Sequence, residues 1–96
     1  MPREAAVVAA IGRELTRRGA WWFNTHGSAH GRGGLPDIHA VYRGVALAIE
    51  AKGTGGRPSR RQLFELDRAR RAGARAILAD DVAAVRAVLD EIEGGT

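Results

Sequence analysis

The sequence lacks cysteine, has a single lysine, and carries only five aromatic residues in 96 positions. The absence of cysteine excludes a disulfide framework and a thiolate zinc site. A chain of this length holds one modest core, so we expect a single domain over residues 1–96 without a separate cofactor-binding module. No apolar run approaches the roughly 20 residues that span a bilayer. The N-terminus also lacks a secretory pattern, so we expect a cytoplasmic protein with no membrane contact.

Basic side chains outnumber acidic ones, since 15 Lys+Arg oppose 11 Asp+Glu and give a net charge of +4. This balance is typical of proteins that bind a polyanion such as nucleic acid. Fourteen of the 15 cations are arginine, however, and a compositional bias toward Arg, Ala and Gly would produce the same count. Such a bias does not explain the one exception, Lys52. The Ala-rich core has little volume, which favours oligomerisation.

Hydrophobic periodicity predicts seven elements in the order α-β-β-β-α-β-α. The predicted helices cover residues 3–18, 59–72 and 81–91, and the predicted strands cover residues 20–24, 37–42, 45–51 and 74–79. Leu63 and Leu66 are expected on the inward face of the second helix, and Glu14 on the solvated edge of the first. This order predicts an α/β domain in which helices pack on a small mixed sheet.

The link at residues 43–44 suits a hairpin turn, and this turn sets the register of the two flanking strands. In that register Asp37 faces Glu50, and His39 and Lys52 lie on the same sheet face. Facing carboxylates repel unless something compensates, and a hard cation such as Mg²⁺ or Mn²⁺ does so. The pattern therefore predicts a metal site at this end of the hairpin. His39 is either a partner of that site or an ordinary strand histidine.

Two further charged residues are predicted near this pair. Glu4 points along the mean direction of the apolar stripe of the first helix, although a first-turn acid also complements the helix dipole. An inward carboxylate needs a positive partner, which a metal or Lys52 provides. Lys52 ends a strand at the mouth of a Gly-rich loop, where a compact ammonium can hold a water and stabilise charge on a phosphate.

Three segments together resemble the VRR-NUC nucleases of the PD-(D/E)xK superfamily: GLPD at residues 34–37, IEAK at residues 49–52 and GRPSRRQ at residues 56–62. The likeness extends from Glu4 to about Leu89. It implies a restriction-endonuclease-like α-β-β-β-α-β core with a C-terminal helix, a core shared with archaeal Holliday junction resolvases. Ala51 departs from the family pattern, where Val is usual, and the Gly-rich loop is short.

The resemblance also implies roles for individual residues. Asp37, Glu50 and the backbone carbonyl of Ala51 would bind Mg²⁺ or Mn²⁺, and Lys52 would position or activate the attacking water. Gln62 corresponds to the motif glutamine of the family. Glu4 corresponds to its first-helix acidic residue and is an additional candidate metal ligand and catalytic residue.

The implied activity is that of a metal-dependent endonuclease that hydrolyses DNA phosphodiester bonds in branched, Holliday junction-like DNA. Family members occur alone in phages and bacteria and as the catalytic domain of larger repair nucleases. Two alternatives stay open: a flap or nicking nuclease without junction preference, and a non-catalytic DNA-binding accessory domain. The thin core and the two-fold symmetry of junction substrates favour a homodimer.

DNA contacts are expected from arginines that flank the motif residues. Arg32 precedes a glycine turn, and Arg57, Arg60 and Arg61 lie at the start of the second helix, where backbone N–H groups also favour phosphate. We expect these four side chains to bind the DNA backbone.

The Gly-rich loop and the aromatic strand each allow two interpretations. His26 and His30 are four residues apart, but without a helix or cysteine a loop that contacts DNA is favoured over a zinc site. Trp21, Trp22 and Phe23 are consecutive, so a two-faced strand must turn at least one aromatic ring outward. An exposed tryptophan would stack on a base or fill a subunit interface, and the thin core favours the interface.

Overall fold

A computed structural model describes residues 3–25 and 33–95. The predicted order of elements is confirmed, and the bounds differ from the predicted ones only at the ends. In those ranges no helix is both long and apolar enough to cross a membrane. The elements are α1 (Glu4–Arg17), β1 (Trp21–Asn24), β2 (Ile38–Tyr42), β3 (Val45–Ala51), α2 (Arg60–Arg71), β4 (Arg75–Ala79) and α3 (Val82–Gly94).

The four strands form one mixed sheet in the order β1-β2-β3-β4. β1, β2 and β3 are antiparallel neighbours, whereas β4 runs parallel to β3 after the crossover through α2. The link between β2 and β3 has Arg43 at φ 51° and Gly44 at φ 80°, the left-handed pair that matches the twist of a tight hairpin. The predicted register is confirmed, because Ile38 faces Ile49 and Ala40 faces Leu47.

The hydrophobic core lies between one face of the sheet and the helices α1 and α3. On the opposite face, the helix within the described residues is α2, whose buried side chains are Glu65 and Leu66. Leu63, predicted to point inward, is instead 49% exposed. The helix turns about 100° per residue, so a contact face centred near Glu65 and Leu66 leaves Leu63 at its rim. Large core side chains come from α1, the sheet and α3: Val7, Ile11, Leu15, Ile38, Tyr42, Leu47, Ile49, Ile77, Val85, Leu89 and Ile92.

Glu14 corrects a second prediction, because its side chain is buried rather than solvated. Its carboxylate accepts hydrogen bonds from the guanidinium groups of Arg17, Arg18 and Arg86. Hydrogen bonds from Arg17 and Arg18 lower the pKa of Glu14 to about 2. Arg18 also contacts Glu93 at 2.7 Å, so the cluster joins α1 to α3. Periodicity did not identify this residue because long arginine side chains cover a position that lies at the edge of the apolar stripe.

Candidate active site

The hairpin brings together the two carboxylates that its register predicts. Asp37 immediately precedes β2, and its Oδ2 accepts a hydrogen bond of 2.9 Å from the backbone N–H of Ala51. Glu50 lies in β3 and is fully buried. Both of its carboxylate oxygens are buried; Oε2 lies 3.1 Å from the ammonium of Lys52, and Oε1 has no hydrogen-bond partner among the residues that the structure describes. Buried acceptors of this kind are rare in folded proteins and are satisfied by a cation or an ordered ligand.

Lys52 supplies the positive charge beside this pair. Its Nζ lies 3.1 Å from Oε2 of Glu50 and 3.7 Å from Oε1 of Glu4, and its side chain is 14% exposed. Burial lowers the pKa of Lys52, but the contacts with Glu50 and Glu4 outweigh burial and raise the pKa above its ordinary value. The ammonium is therefore charged at neutral pH. The structure thus places Glu4 beside the lysine.

The electrostatics of Glu50 follow from its surroundings. Burial and the negative charge of Asp37 raise the pKa of Glu50 to about 7, and the contact with Lys52 offsets only part of this rise. Near neutral pH this carboxyl group therefore exchanges between its neutral and charged forms. A cation bound here would favour the charged form, so binding of the cation would be coupled to deprotonation of Glu50.

The residues present fit a hard divalent cation. Asp37 and Glu50 offer carboxylate oxygens, and Ala51, which follows Glu50 and contacts Asp37 through its backbone N–H, would offer its backbone carbonyl. Within residues 3–25 and 33–95, no three side chains of His, Cys, Asp or Glu cluster so as to hold a metal. The protein would thus contribute two carboxylates and a carbonyl, leaving the other coordination positions to water and phosphate oxygens, as is usual for Mg²⁺.

Gln62 has a clear structural contact at the start of α2. Its side-chain Oε1 accepts a hydrogen bond of 2.8 Å from the backbone N–H of Ser59. The backbone N–H of Gln62 in turn donates to Oγ of Ser59. This is a reciprocal capping box, which fixes the first turn of the helix. The Ser-x-x-Gln spacing at residues 59–62 is the sequence signal of this capping box.

The start of α2 also presents three arginines that were predicted to bind DNA. Arg57, Arg60 and Arg61 are all exposed. Arg61 donates from Nε to the carbonyl of Gly33 at 2.9 Å, so it also ties the helix to the turn that precedes Asp37. The remaining predicted DNA-binding residues, Arg32, His26 and His30, lie outside the described residues.

The aromatic side chains of strand β1 lie on both faces of the sheet. Trp22 is half-buried and covers Gly12, and its Nε1 donates to Oγ1 of Thr16 at 2.9 Å. Trp21 and Phe23 project from the opposite face, with 64% and 44% of their surfaces exposed.

These two rings border a groove of about 440 Å³ between β1, β2 and α2, which we call the aromatic groove. It was not predicted, because its walls come from segments that are distant in the sequence. The side chains that define it are Trp21, Phe23, Leu35, Pro36, His39 and Arg68.

Two solved structures resemble this fold over nearly its full length. One, described as a VRR_NUC domain, superposes with a TM-score of 0.75 at 25% sequence identity and covers 94% of this chain and 97% of that chain. The other, a VRR_NUC domain protein, gives a TM-score of 0.73 at 16% identity and covers 93% and 86% of the two chains. No family model and no curated protein matches the sequence. The structural similarity confirms the predicted resemblance and the predicted α/β architecture.

Proposed function

We propose that this chain, which has the fold of a VRR-NUC nuclease-type domain, is a metal-dependent endonuclease that hydrolyses DNA phosphodiester bonds. One observation carries the proposal: the buried Glu50 carboxylate lies opposite Asp37 and 3.1 Å from the Lys52 ammonium. A buried acid with an unsatisfied carboxylate oxygen is costly for a small domain to retain for stability alone. A buried Glu50 carboxylate at this position is explained if a cation and an anionic substrate bind beside it.

Each residue of the site has a role in this chemistry. A bound Mg²⁺ or Mn²⁺ supplies Lewis-acid activation of the phosphodiester and of a water nucleophile. Asp37 and Glu50 would hold that ion. The ammonium of Lys52 orients the water and stabilises negative charge that develops on the phosphate, while Glu4 keeps the lysine charged and in place. Hydrolysis proceeds by direct attack of water, without a covalent intermediate on the protein.

The arginines at the start of α2 support a polyanionic substrate. Arg57 and Arg60 are exposed, and no acidic side chain in the described part of the chain lies within 4.0 Å of their charged groups. In contrast, Arg71 and Arg75 form ion pairs with Asp67 and Glu91. Because the first pair lies at a helix N-terminus, phosphate groups of DNA provide the missing counter-charge.

The proposed substrate is branched, junction-like DNA, cut in the cytoplasm by a homodimer. Two active sites related by a two-fold axis match the symmetry of a four-way junction. The exposed pair Leu63 and Phe64, 49% and 61% accessible on an otherwise charged helix, supports the dimer as an apolar contact surface. Sedimentation tests this part: a wild-type protein that stays monomeric well above micromolar concentration would exclude the dimer, and Phe64→Ser is expected to shift a dimer toward monomer.

The activity is tested with labelled hairpins, flaps, forks, four-way junctions and blunt duplexes, each incubated with Mg²⁺ or Mn²⁺. We expect cleavage of junctions above the other substrates, lost in Asp37→Ala and in Lys52→Ala while DNA binding is largely retained. Equal cutting of flaps or nicked duplex would favour a nuclease without junction preference. Binding without any cleavage, unchanged in both variants, would favour a non-catalytic accessory domain.

A further inference from the structure

We propose that the aromatic groove binds an unpaired nucleobase of the DNA substrate next to the cleaved phosphodiester bond. The proposal rests on the proposed DNA substrate and adds a base-binding site to it. The groove has a free aromatic wall, an unsatisfied polar atom on its lining and an exposed cation at its edge. It also continues directly into the segment that carries Asp37.

The aromatic wall is formed by Trp21 and Phe23. Alternate residues of a strand point to the same side, and these two rings meet edge to face with centroids 5.4 Å apart. Strand β1 is an edge strand of the sheet, and both rings are partly exposed to solvent. Rings of this kind bind single-stranded nucleic acid by stacking, because every base presents a π face.

The lining of the groove contains a polar atom that lacks a partner. His39 packs against Phe23 with ring centroids 5.1 Å apart and an interplanar angle of 32°. Its Nε2 is buried and has no hydrogen-bond partner among residues 3–25 and 33–95. Buried polar atoms are normally satisfied, so an unsatisfied one in the lining of a groove indicates a ligand with polar edges. Nucleobases have both donors and acceptors on their edges, in contrast to a purely apolar ligand.

The charge at the edge of the groove also favours a nucleotide over a second protein chain. Arg68 lines the groove with a side chain that is 55% exposed, and its guanidinium lies 3.6 Å from Glu65. The core of a protein interface is depleted in charged residues, and covering this groove with a second copy would bury charges and His39 together. A nucleotide instead stacks its base on Trp21 and leaves its phosphate within reach of arginine.

The position of the groove connects it to the active site. Leu35 and Pro36 line it and immediately precede Asp37 in the chain. Thr25, at the end of β1, donates from its backbone N–H to the carbonyl of Asp37 at 2.8 Å and from Oγ1 to the carbonyl of Pro36 at 2.8 Å. The strand that carries the aromatic rings is thus fixed to the residue that carries the carboxylate. A base held in the groove therefore places an adjoining phosphate near that carboxylate, and unpaired bases of this kind occur at branch points.

The test measures binding without cleavage. Fluorescence anisotropy in EDTA compares a forked DNA with a single-stranded arm and a blunt duplex of the same sequence, for wild type, Trp21→Ala and Trp21→Phe. We expect Trp21→Ala to weaken fork binding by about 5- to 100-fold, the range of one lost base stack, with duplex binding unchanged. Trp21→Phe is expected to keep most of the preference for the fork. If the alanine variant fails to fold, Trp21→Gln replaces it, since glutamine keeps bulk without a π face.

Leu78→Ala is the matched control, because Leu78 in β4 is also a large exposed apolar residue and does not line the groove. This variant is expected to leave the ratio of fork to duplex affinity unchanged. An unchanged ratio in Trp21→Ala would overturn the proposal. A lower sedimentation coefficient for Trp21→Ala than for wild type would also overturn it, since a second copy would then occupy the groove. These measurements do not depend on cleavage. If the protein prefers forks through Trp21 but cuts no DNA, the proposed nuclease activity is refuted while the proposed base-binding site is supported.

Discussion

The backbone N–H of Ala51 donates a hydrogen bond to the carboxylate of Asp37 across a distance of 2.9 Å. This bond lies just beyond Ile38 and Ile49, the last paired residues of β2 and β3. The carboxylate of Asp37 therefore accepts the hydrogen bond that a backbone carbonyl would accept if the two strands continued to pair. The bond fixes the Asp37 carboxylate on the strand that carries Glu50. Two like charges are thereby held near each other, at a cost in stability that a bound cation would remove.

Asp37→Asn is expected to separate these two effects. The amide oxygen can still accept from Ala51, whereas the negative charge that repels Glu50 is gone. In EDTA at pH 8 the melting temperature should therefore rise by about 4–8 °C, the shift that roughly 1 kcal/mol produces in a domain of this size. Millimolar Mg²⁺ or Mn²⁺ should raise the melting temperature of wild type and leave that of Asp37→Asn unchanged. Asp67→Asn, on the exposed face of α2, is the control. A metal-dependent rise in melting temperature that persists in Asp37→Asn would refute the assignment of Asp37 as a metal ligand.

The raised pKa of Glu50 leads to a prediction of how folding stability depends on pH in the absence of metal. Its pKa in the folded protein is about 7, above the ordinary value of 4.5, so the unfolded chain releases this proton at lower pH. Folding stability should therefore fall as pH rises from 4.5 to 7, by on the order of 3 kcal/mol from this group alone. Glu50→Gln cannot ionise and should not show this loss. Urea denaturation in EDTA at pH 4.5, 6 and 7.5 compares the two proteins, and parallel curves over that window would contradict the prediction.

The part of the site that could be predicted from the sequence depends on local geometry. A two-residue link at Arg43 and Gly44 fixes the hairpin register, and the register alone places Asp37 opposite Glu50. Helical periodicity likewise directs Glu4 inward, because the apolar stripe of α1 must face the sheet. These inferences use residues that are neighbours in sequence or in one hairpin, where spacing determines position.

The parts that could not be predicted arise from contacts between distant segments. Glu14 is buried because arginines of α1 and of α3 converge on it, which periodicity within α1 does not reveal. Leu63 is exposed because the packing of α2 centres on Glu65 and Leu66. The aromatic groove needs β1, the segment before β2 and α2 in their folded arrangement. Each of these features depends on how elements pack, and that information is spread over the whole chain.

Lys52→Arg tests whether the single lysine is needed as a lysine. The ammonium fits between Glu50 and Glu4 at 3.1 Å and 3.7 Å, with little exposure to solvent. A guanidinium is larger and planar, so it would displace the charge from the position where the water and the phosphate meet. We expect cleavage to fall by roughly 100-fold or more, the loss typical of one misplaced electrostatic group, with DNA affinity nearly unchanged. Arg57→Lys is the reciprocal control and should cut at close to the wild-type rate. Normal cleavage by Lys52→Arg would show that only positive charge matters at position 52.

Glu14→Gln should destabilise the fold far more than its surface counterpart Asp67→Asn. Both acids contact more than one arginine, but Glu14 is 4% exposed whereas the side chain of Asp67 is 46% exposed. Removing the buried charge takes from Arg18 the carboxylate that interacts with it most strongly, and it weakens the contact from Arg86 of α3 to Glu14 of α1.

The same pair of variants tests the pH dependence of this cluster. The folded pKa of Glu14, about 2, lies below the ordinary 4.5, so its stabilisation is complete above pH 4.5 and is lost as pH falls toward 2. Thermal melts should therefore show a large difference between wild type and Glu14→Gln at pH 6 that shrinks at pH 2.5. An equal difference at both pH values would mean that packing, and not charge, holds the helices together.

Gly34→Ala and Gly44→Ala distinguish backbone strain from a contact that positions the active site. Both glycines have a left-handed φ, 81° and 80°, so an alanine costs about 1–2 kcal/mol at either position. A Cβ at Gly44 meets nothing within 4 Å, whereas a Cβ at Gly34 lies 2.9 Å from the backbone carbon of Arg61. Gly44→Ala should therefore lose stability only, and cleavage measured well below its melting temperature should be normal.

Gly34→Ala must in addition push the start of α2 away from the turn that leads into Asp37. The hydrogen bond from Arg61 to Gly33 then breaks or lengthens, and the arginines at the start of α2 shift relative to the carboxylates. We expect this variant to melt at a lower temperature than Gly44→Ala and to cut DNA more slowly even where it is fully folded, as a comparison of cleavage rates at matched folded fractions would show. Equal cleavage by the two variants would mean that the separation between α2 and the carboxylate pair does not limit the reaction.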